Sequence, residues 1–252
     1  MSTPTQPAAP EPADPHPVPP GPTDPGPASG TPGRPRPGWT EIAVGAVAYL
    51  ALTALAAILL GGLLRPGSAT LAVVAIGISG AAALGAALLA VAVRVRSLRA
   101  VGVRAASWRW LLVGVAGGVV AFAVNRLIIL SYVLATGDMS NPQAGFLPGL
   151  TGDLPTFALM MLLGAVLVPV GEELLFRGVV TTALGRHGAW VAVLASALVF
   201  ALAHGVSIVL PAAFVLGVIN ALLLRRSGSV WPGVLAHGVN NALVFGLAAL
   251  VL

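Results

Sequence analysis

A short apolar segment of the chain, "VPVGEELLFRGVV" at 168–180, contains three ionisable residues, Glu172, Glu173 and Arg177. Burying an ionised group in such surroundings is costly unless the group is paired or used. Glu173 precedes Arg177 by four residues, which is the favourable order for an ion pair on a helix. Glu172 is turned about 100° away around the helix. We therefore predict that Glu173 pairs with Arg177 and that Glu172 is left available for chemistry.

Two later motifs contribute imidazole and amide groups. His204 ends "FALAH", four residues after Phe200, and His237 opens "HGVNN", four residues before Asn241. Measured from the turn near 187–188, Glu172 and His204 lie at one depth of an antiparallel hairpin, roughly 23 Å from the turn. His237 and Asn241 lie roughly 13–20 Å beyond the next turn, near 227–229. We predict that the four side chains converge.

These groups can together activate water. A desolvated glutamate can act as a base near neutral pH, and a histidine can hold the same water or carry its proton. An asparagine amide and a second histidine can donate hydrogen bonds to an oxyanion. The sequence has no cysteine, no G-x-S-x-G nucleophile elbow and no H-E-x-x-H zinc helix.

The composition indicates that the surroundings of these residues are a membrane. Hydrophobic residues make up 57% of the chain and charged residues 8%, against roughly 25% charged in soluble domains. A span needs about 20 apolar residues, and candidates cover about 42–64, 70–93, 110–135, 156–186, 189–205, 208–224 and 232–252. We predict an all-α polytopic membrane bundle of about seven transmembrane helices over 39–252. Residues 1–38, rich in proline, are predicted to be a disordered tail.

The basic residues indicate the orientation of the chain. The net charge of +5 comes from 13 arginines, which cluster beside the apolar runs. Arginines in these positions indicate how a membrane protein is oriented, and they do not indicate nucleic-acid binding. Five arginines lie in the 94–109 loop, so this loop and the N-terminus are predicted to be cytoplasmic and the 136–155 loop to be outside. We expect a multi-pass protein of the cell membrane with no nucleic-acid partner.

The motifs in combination resemble a known family. E-E-x-x-x-R at 172–177, F-x-x-x-H at 200–204 and H-x-x-x-N at 237–241 are similar in order and spacing to the CPBP family, the CAAX-protease and bacteriocin-processing group also called Abi. The resemblance covers about 168–245 and implies an intramembrane peptidase. It implies that Glu172 and His204 activate water and that His237 and Asn241 stabilise the oxyanion. Supporting roles fall to Glu173, Arg177 and Phe200.

The resemblance leaves two mechanisms open. The family is often grouped with metalloproteases, and Glu172, His204 and His237 are an adequate ligand set for a catalytic zinc. The same residues can act on water with no cofactor, as is argued for eukaryotic relatives. We favour the metal-free mechanism, because the sequence lacks the i, i+4 histidine pair that usually builds such a zinc site.

The substrate is expected to be a peptide or a membrane protein, met in the lipid bilayer. Two other functions are compatible with the composition: a non-catalytic membrane immunity factor or scaffold of the same fold, and a proton-coupled transporter, since intramembrane Glu and His also mark proton relays. A scaffold would be marked by a missing motif residue and a transporter by two related halves. The sequence has neither mark.

Overall fold

A computed structural model describes residues 36–140 and 143–251, and this part of the chain is helical with no strand. The predicted all-α bundle is therefore confirmed. Of the predicted disordered tail, only residues 36–38 are among those described. The seven apolar helices are α1 Trp39–Leu60, α2 Ala69–Val93, α3 Trp108–Thr136, α4 Leu154–His187, α5 Ala189–Ala203, α6 Val209–Ser227 and α7 Trp231–Val251.

Six of these helices in the described part of the chain are long and apolar enough to cross a membrane. The exception is α5, whose 15 residues span about 22 Å, less than the hydrocarbon thickness of about 30 Å. It ends because Gly205 adopts a positive φ of 86° and the last amide groups bond three residues back. His204 consequently lies at a helix end, where its side chain reaches neighbouring helices.

Glycine residues bring the helix backbones into close contact. Gly114 and Gly118 of α3 pack against the carbonyls of Pro232 and Ala236 of α7, and Gly171 of α4 packs against a carbonyl of α2. A Cβ atom at any of the three glycines would overlap backbone. Small residues allow this approach, which provides van der Waals attraction where lipid removes the hydrophobic driving force. The helices that hold the motif residues, α4 and α7, are thereby fixed against α2 and α3.

The long helix α4 is not uniform. Leu163–Leu167 and Glu173–Thr181 have wide turns with i→i+5 hydrogen bonds, and an α-helical stretch, Val168–Glu172, separates them. Such wide turns are rare and occur mostly at functional sites. The first wide turn directly precedes the stretch that contains Pro169. The number of residues per turn changes twice along α4. The side chains of Glu172 and Glu173 therefore point in directions that differ from those in a regular helix of 3.6 residues per turn.

An ion pair of a buried acid and a half-exposed arginine joins the ends of α1 and α2. Glu41, at the start of α1, is fully buried and accepts hydrogen bonds of 2.9 and 2.7 Å from Arg94, which follows α2. This bonding raises the pKa of Arg94 above its ordinary value. The end of α4 joins them, because the guanidinium of Arg186 lies 5.4 Å from the Trp39 ring centroid. The sequence analysis did not identify Glu41, which lies at the edge of the first apolar run.

The close packing of α3 on α7 can be tested with a pair of glycine substitutions. Gly114→Ala is expected to destabilise the protein by about 1–3 kcal/mol, because the added methyl group would overlap the Pro232 backbone. Gly246→Ala is the control, since its Cβ would meet no described atom within 4 Å. Thermal unfolding midpoints in one detergent measure both. Equal midpoints for the two variants would contradict the backbone contact.

Candidate active site

Glu172 lies at the meeting point of α4, α5 and α7. Its carboxylate oxygen Oε2 is 4.0 Å from His204 Nε2 and 3.8 Å from His237 Nε2. Both distances are too long for hydrogen bonds, and Oε2 is buried without a hydrogen-bond partner among the described residues. The structure thus brings the first acid and both histidines together, with space between them for a bridging group.

Both imidazole rings are oriented by their Nδ1 atoms. His204 Nδ1 lies 2.9 Å from the carbonyl oxygen of Phe200, and His237 Nδ1 lies 3.0 Å from Glu173 Oε1. A carbonyl or carboxylate oxygen can only accept, so Nδ1 carries the hydrogen in each ring. In the neutral rings, both Nε2 lone pairs are therefore directed at the carboxylate of Glu172.

Glu173 satisfies its charge with groups from three helices. Its Oε2 is 3.2 Å from Arg177 Nε in α4, so the predicted ion pair is present. Its Oε1 accepts hydrogen bonds from Asn220 Nδ2 of α6 at 2.9 Å and from His237 Nδ1 of α7. The sequence analysis assigned no role to Asn220, and the only signal for it was an amide within an apolar helix. Oε1 of Glu173 is thus hydrogen-bonded and its Oε2 contacts a guanidinium without an aligned hydrogen bond, whereas Oε2 of Glu172 has no partner within hydrogen-bond distance.

Arg177 is held by an aromatic ring as well as by its acid partner. Its guanidinium lies 4.1 Å from the ring centroid of Phe200, a cation–π contact worth about 2 kcal/mol when desolvated. Its three nitrogens have no aligned hydrogen-bond acceptor in the described part of the chain. Phe200 also meets both histidine rings edge-on, with centroids 4.6 Å from His204 and 5.8 Å from His237. Phe200 therefore contacts the buried arginine and both imidazoles.

Asn241 is oriented by a carbonyl group of α4. Its Nδ2 donates to Gly164 O at 2.9 Å, and its Oδ1 accepts from Asn240 Nδ2 at 3.1 Å. Asn240 Oδ1 in turn lies 3.0 Å from the side-chain amide of Asn125 in α3. One N–H of Asn241 is thereby committed to the backbone, and the second is left for another acceptor.

The first wide turn of α4 explains why the Gly164 carbonyl is available. The N–H of Val168, which would bond this carbonyl in a regular α-helix, donates to Leu163 O instead. The next residue, Pro169, has no N–H to offer. The freed carbonyl would be an unsatisfied polar group, and Asn241 provides its donor.

Glu172, both histidines and Asn241 line one cavity of about 200 Å³ within the bundle. The cavity is bounded by residues from α2 to α7 and is large enough for water and a short piece of extended peptide. The polar side chains along its wall include Glu172, His204, His237, Asn241, Asn240 and Arg126.

Residues 154–243 match the family model described as Type II CAAX prenyl endopeptidase Rce1-like. This part of the chain is similar to the CAAX-protease family. The match covers just over a third of the sequence, extends from the start of α4 into α7, and includes every motif residue. The resemblance inferred from the motifs is confirmed. Comparisons with curated proteins and with solved structures give no match.

The family implies an enzyme of the CAAX-protease type that acts on a protein or peptide substrate in a bilayer. Together with the apolar helices, it makes the chain a multi-pass membrane protein. A transporter is not the function that this family describes, so the match favours hydrolysis over proton-coupled transport.

Removal of the buried arginine should destabilise the fold. Arg177→Ala leaves the Glu173 carboxylate buried without its cation, which costs about 3–5 kcal/mol. We expect a much lower folded yield, measured as the monodisperse fraction in size-exclusion chromatography. Arg225→Ala, which removes an exposed arginine at the end of α6, should leave the yield near that of the unmodified protein. A normal yield for Arg177→Ala would show that Glu173 does not depend on this partner.

Proposed function

We propose that the protein is an intramembrane endopeptidase in which Glu172 and His204 activate a water molecule to attack a peptide carbonyl. The observation that carries the proposal is the buried, unpartnered Oε2 of Glu172, which faces two imidazole Nε2 atoms at 4.0 and 3.8 Å. A water placed between these groups donates one hydrogen to the carboxylate and the other to His204. Its oxygen lone pairs then point away from both and toward a substrate in the cavity.

The proposed reaction balances within these residues. Glu172 takes a proton from the water as the water oxygen bonds to the carbonyl carbon. The carbonyl oxygen becomes an oxyanion, which accepts from the uncommitted N–H of Asn241 and from a hydrogen that His237 carries on Nε2 before and after the reaction. Glu172 then returns its proton to the amide nitrogen as the C–N bond breaks. Glu173 holds Nδ1 of His237 throughout and so keeps Nε2 directed into the site.

The spacing of the donors favours this metal-free arrangement. Carboxylate and imidazole are zinc ligands, but ligands at about 2.0–2.2 Å from a tetrahedral zinc lie only about 3.3–3.6 Å apart. The observed separations of 4.0 and 3.8 Å are wider. In the described residues, no group of three or more His, Asp or Glu side chains is arranged to hold a metal ion. No step of the proposed mechanism uses a metal.

Glu172→Gln tests the catalytic base. The change is nearly isosteric, so the folded yield should be kept, while turnover should fall by at least about 100-fold because general-base catalysis is lost. The readout is membrane proteomics of a deletion strain complemented with either form, in which uncut substrates accumulate with Glu172→Gln only. Asp153→Asn is the matched control, because it neutralises an exposed acid that caps α4 and asparagine caps equally well. Equal substrate profiles for Glu172→Gln and the unmodified protein would refute the proposal.

Metal removal tests whether the mechanism is metal-free. We expect the purified, active protein to contain less than stoichiometric zinc and to keep full activity after chelation, since the base and the oxyanion donors are all side chains. Elemental analysis and cleavage assays before and after chelation measure this. Stoichiometric zinc whose removal stops cleavage and whose return restores it would contradict the metal-free mechanism.

A further inference from the structure

An apolar groove lies on the outer surface of the bundle, where α3, α4 and α7 meet. Its volume is about 590 Å³, and all the residues that line it are apolar. Two small residues of the lining, Gly238 of α7 and Ala165 of α4, are in close contact, and the larger Leu111, Val166 and Trp231 are partly or fully exposed. The groove is separate from the cavity of the candidate site, since no residue lines both.

The groove has the length of the hydrocarbon of one membrane leaflet. Its lining extends along α7 from Trp231 to Ala242, a distance of about 16 Å along the helix axis. The hydrocarbon of one leaflet is about 15 Å thick, which is half of the bilayer core. Trp231 is the first residue of α7, and tryptophan is enriched at the membrane–water interface. The groove therefore runs from one membrane surface to about the middle of the bilayer.

Two arginines lie at the outer end of the groove. Arg104 is next to the start of α7, because its carbonyl oxygen accepts a hydrogen bond of 2.7 Å from Ser229 Oγ. Arg109 precedes Gly114, which packs on the Pro232 carbonyl, by five residues of α3, so it lies about 7.5 Å outside the level of Pro232. The polar headgroup layer on each side of the hydrocarbon core is about 5–7 Å thick. Both arginines are thus placed at the level of lipid headgroups.

The charges of these two arginines are not neutralised within the described part of the chain. The arginines that form ion pairs with acidic residues there are Arg94 and Arg177. The guanidinium of Arg104 donates to a backbone carbonyl, and that of Arg109 lies 5.6 Å from the ring centroid of Trp108. Both arginines are exposed. The groove consequently combines an apolar channel of one leaflet's length with a positively charged outer end.

We propose that this groove binds one anionic phospholipid, with an acyl chain along α7 and the phosphate at Arg104 and Arg109. The donors of a guanidinium match phosphate oxygens in geometry and charge. A zwitterionic phospholipid also has a phosphate, but its cationic headgroup opposes the arginines, so the groove prefers a lipid with net negative charge. This inference does not depend on the proposed hydrolysis.

Native mass spectrometry of the intact chain in a nonionic detergent tests the proposal. The probes are phosphatidylglycerol and phosphatidylcholine with identical palmitoyl and oleoyl chains, titrated separately and as an equimolar mixture. We expect one phosphatidylglycerol per protein, bound about five- to thirtyfold more tightly than phosphatidylcholine, as for one or two arginines that meet an anionic headgroup. Equal affinity for the two lipids would overturn the proposal.

Arginine variants assign the preference to the outer end of the groove. Arg109→Gln should reduce the preference for phosphatidylglycerol about fivefold, and the double variant Arg104→Gln, Arg109→Gln should abolish it. Arg96→Gln is the matched control, because Arg96 is an exposed arginine of the same 94–107 connection between α2 and α3 and does not line the groove. It should keep the full preference. A preference that survives the double variant would place the headgroup elsewhere and overturn the proposal.

A pair of substitutions in α7 locates the acyl chain. Ala242→Phe adds a ring at the inner end of the groove, so it should weaken phosphatidylglycerol binding at least about fivefold. Leu243→Phe is the control, since Leu243 is the next residue, is exposed and does not line the groove. Equal binding by the two variants would show that the lipid is not in the groove. If Ala242→Phe does not fold, the two lipids compared on the unmodified protein still decide the question.

A different occupant of the groove would also be seen in these spectra. A second copy of the chain would appear as a dimer without bound lipid that Ala242→Phe dissociates, and this result would overturn the proposal. Since the measurements are of lipid binding, a protein that binds phosphatidylglycerol as expected but cleaves no substrate would contradict only the proposed function.

Discussion

The arrangement of the candidate site depends on one fully buried carboxylate, that of Glu173. It contacts Arg177 in its own helix, Asn220 in α6 and His237 in α7. A buried carboxylate without these partners would cost several kcal/mol, so the three helices are held at the separation that satisfies it. The same contact sets the orientation of the His237 ring. The Glu173 carboxylate therefore both supports the packing of the three helices and orients Nε2 of His237.

Two adjacent acids in one helix consequently have opposite environments. Glu173 has a charged partner and two hydrogen-bond donors, while the Oε2 atom of Glu172 is buried with none among the described residues. A carboxylate with hydrogen-bond donors and a cation is held in its charged form, and one without them retains its capacity to take a proton. The Phe200 ring contacts both the guanidinium of Arg177 and the imidazoles that face Glu172.

The irregular backbone of α4 affects both the hydrogen bonding of the helix and the candidate site. Its first wide turn and Pro169 free the carbonyl of Gly164, and that carbonyl binds the amide of Asn241. The second wide turn begins at Glu173 itself. Side chains satisfy carbonyls in both wide turns: Asn241 of α7 donates in the first, and Thr181 and Thr182 of α4 itself donate in the second. The close contact of Gly238 in α7 with the Ala165 carbonyl in α4 brings these two helices near enough for the bond of Asn241.

The sequence by itself determined the features that depend on local geometry. Helix positions follow from apolar runs, the Glu173–Arg177 pair follows from i, i+4 spacing, and the shared depth of Glu172 and His204 follows from the rise per residue. Only the tertiary structure decided which groups meet across helices: Asn220 with Glu173, Asn241 with the Gly164 carbonyl, and Arg126 with the cavity. The physical reason is that these helices are apolar on all sides, since lipid and bundle interior are equally apolar. Their sequences therefore do not encode how each helix is rotated about its axis, and packing of the whole bundle sets that rotation.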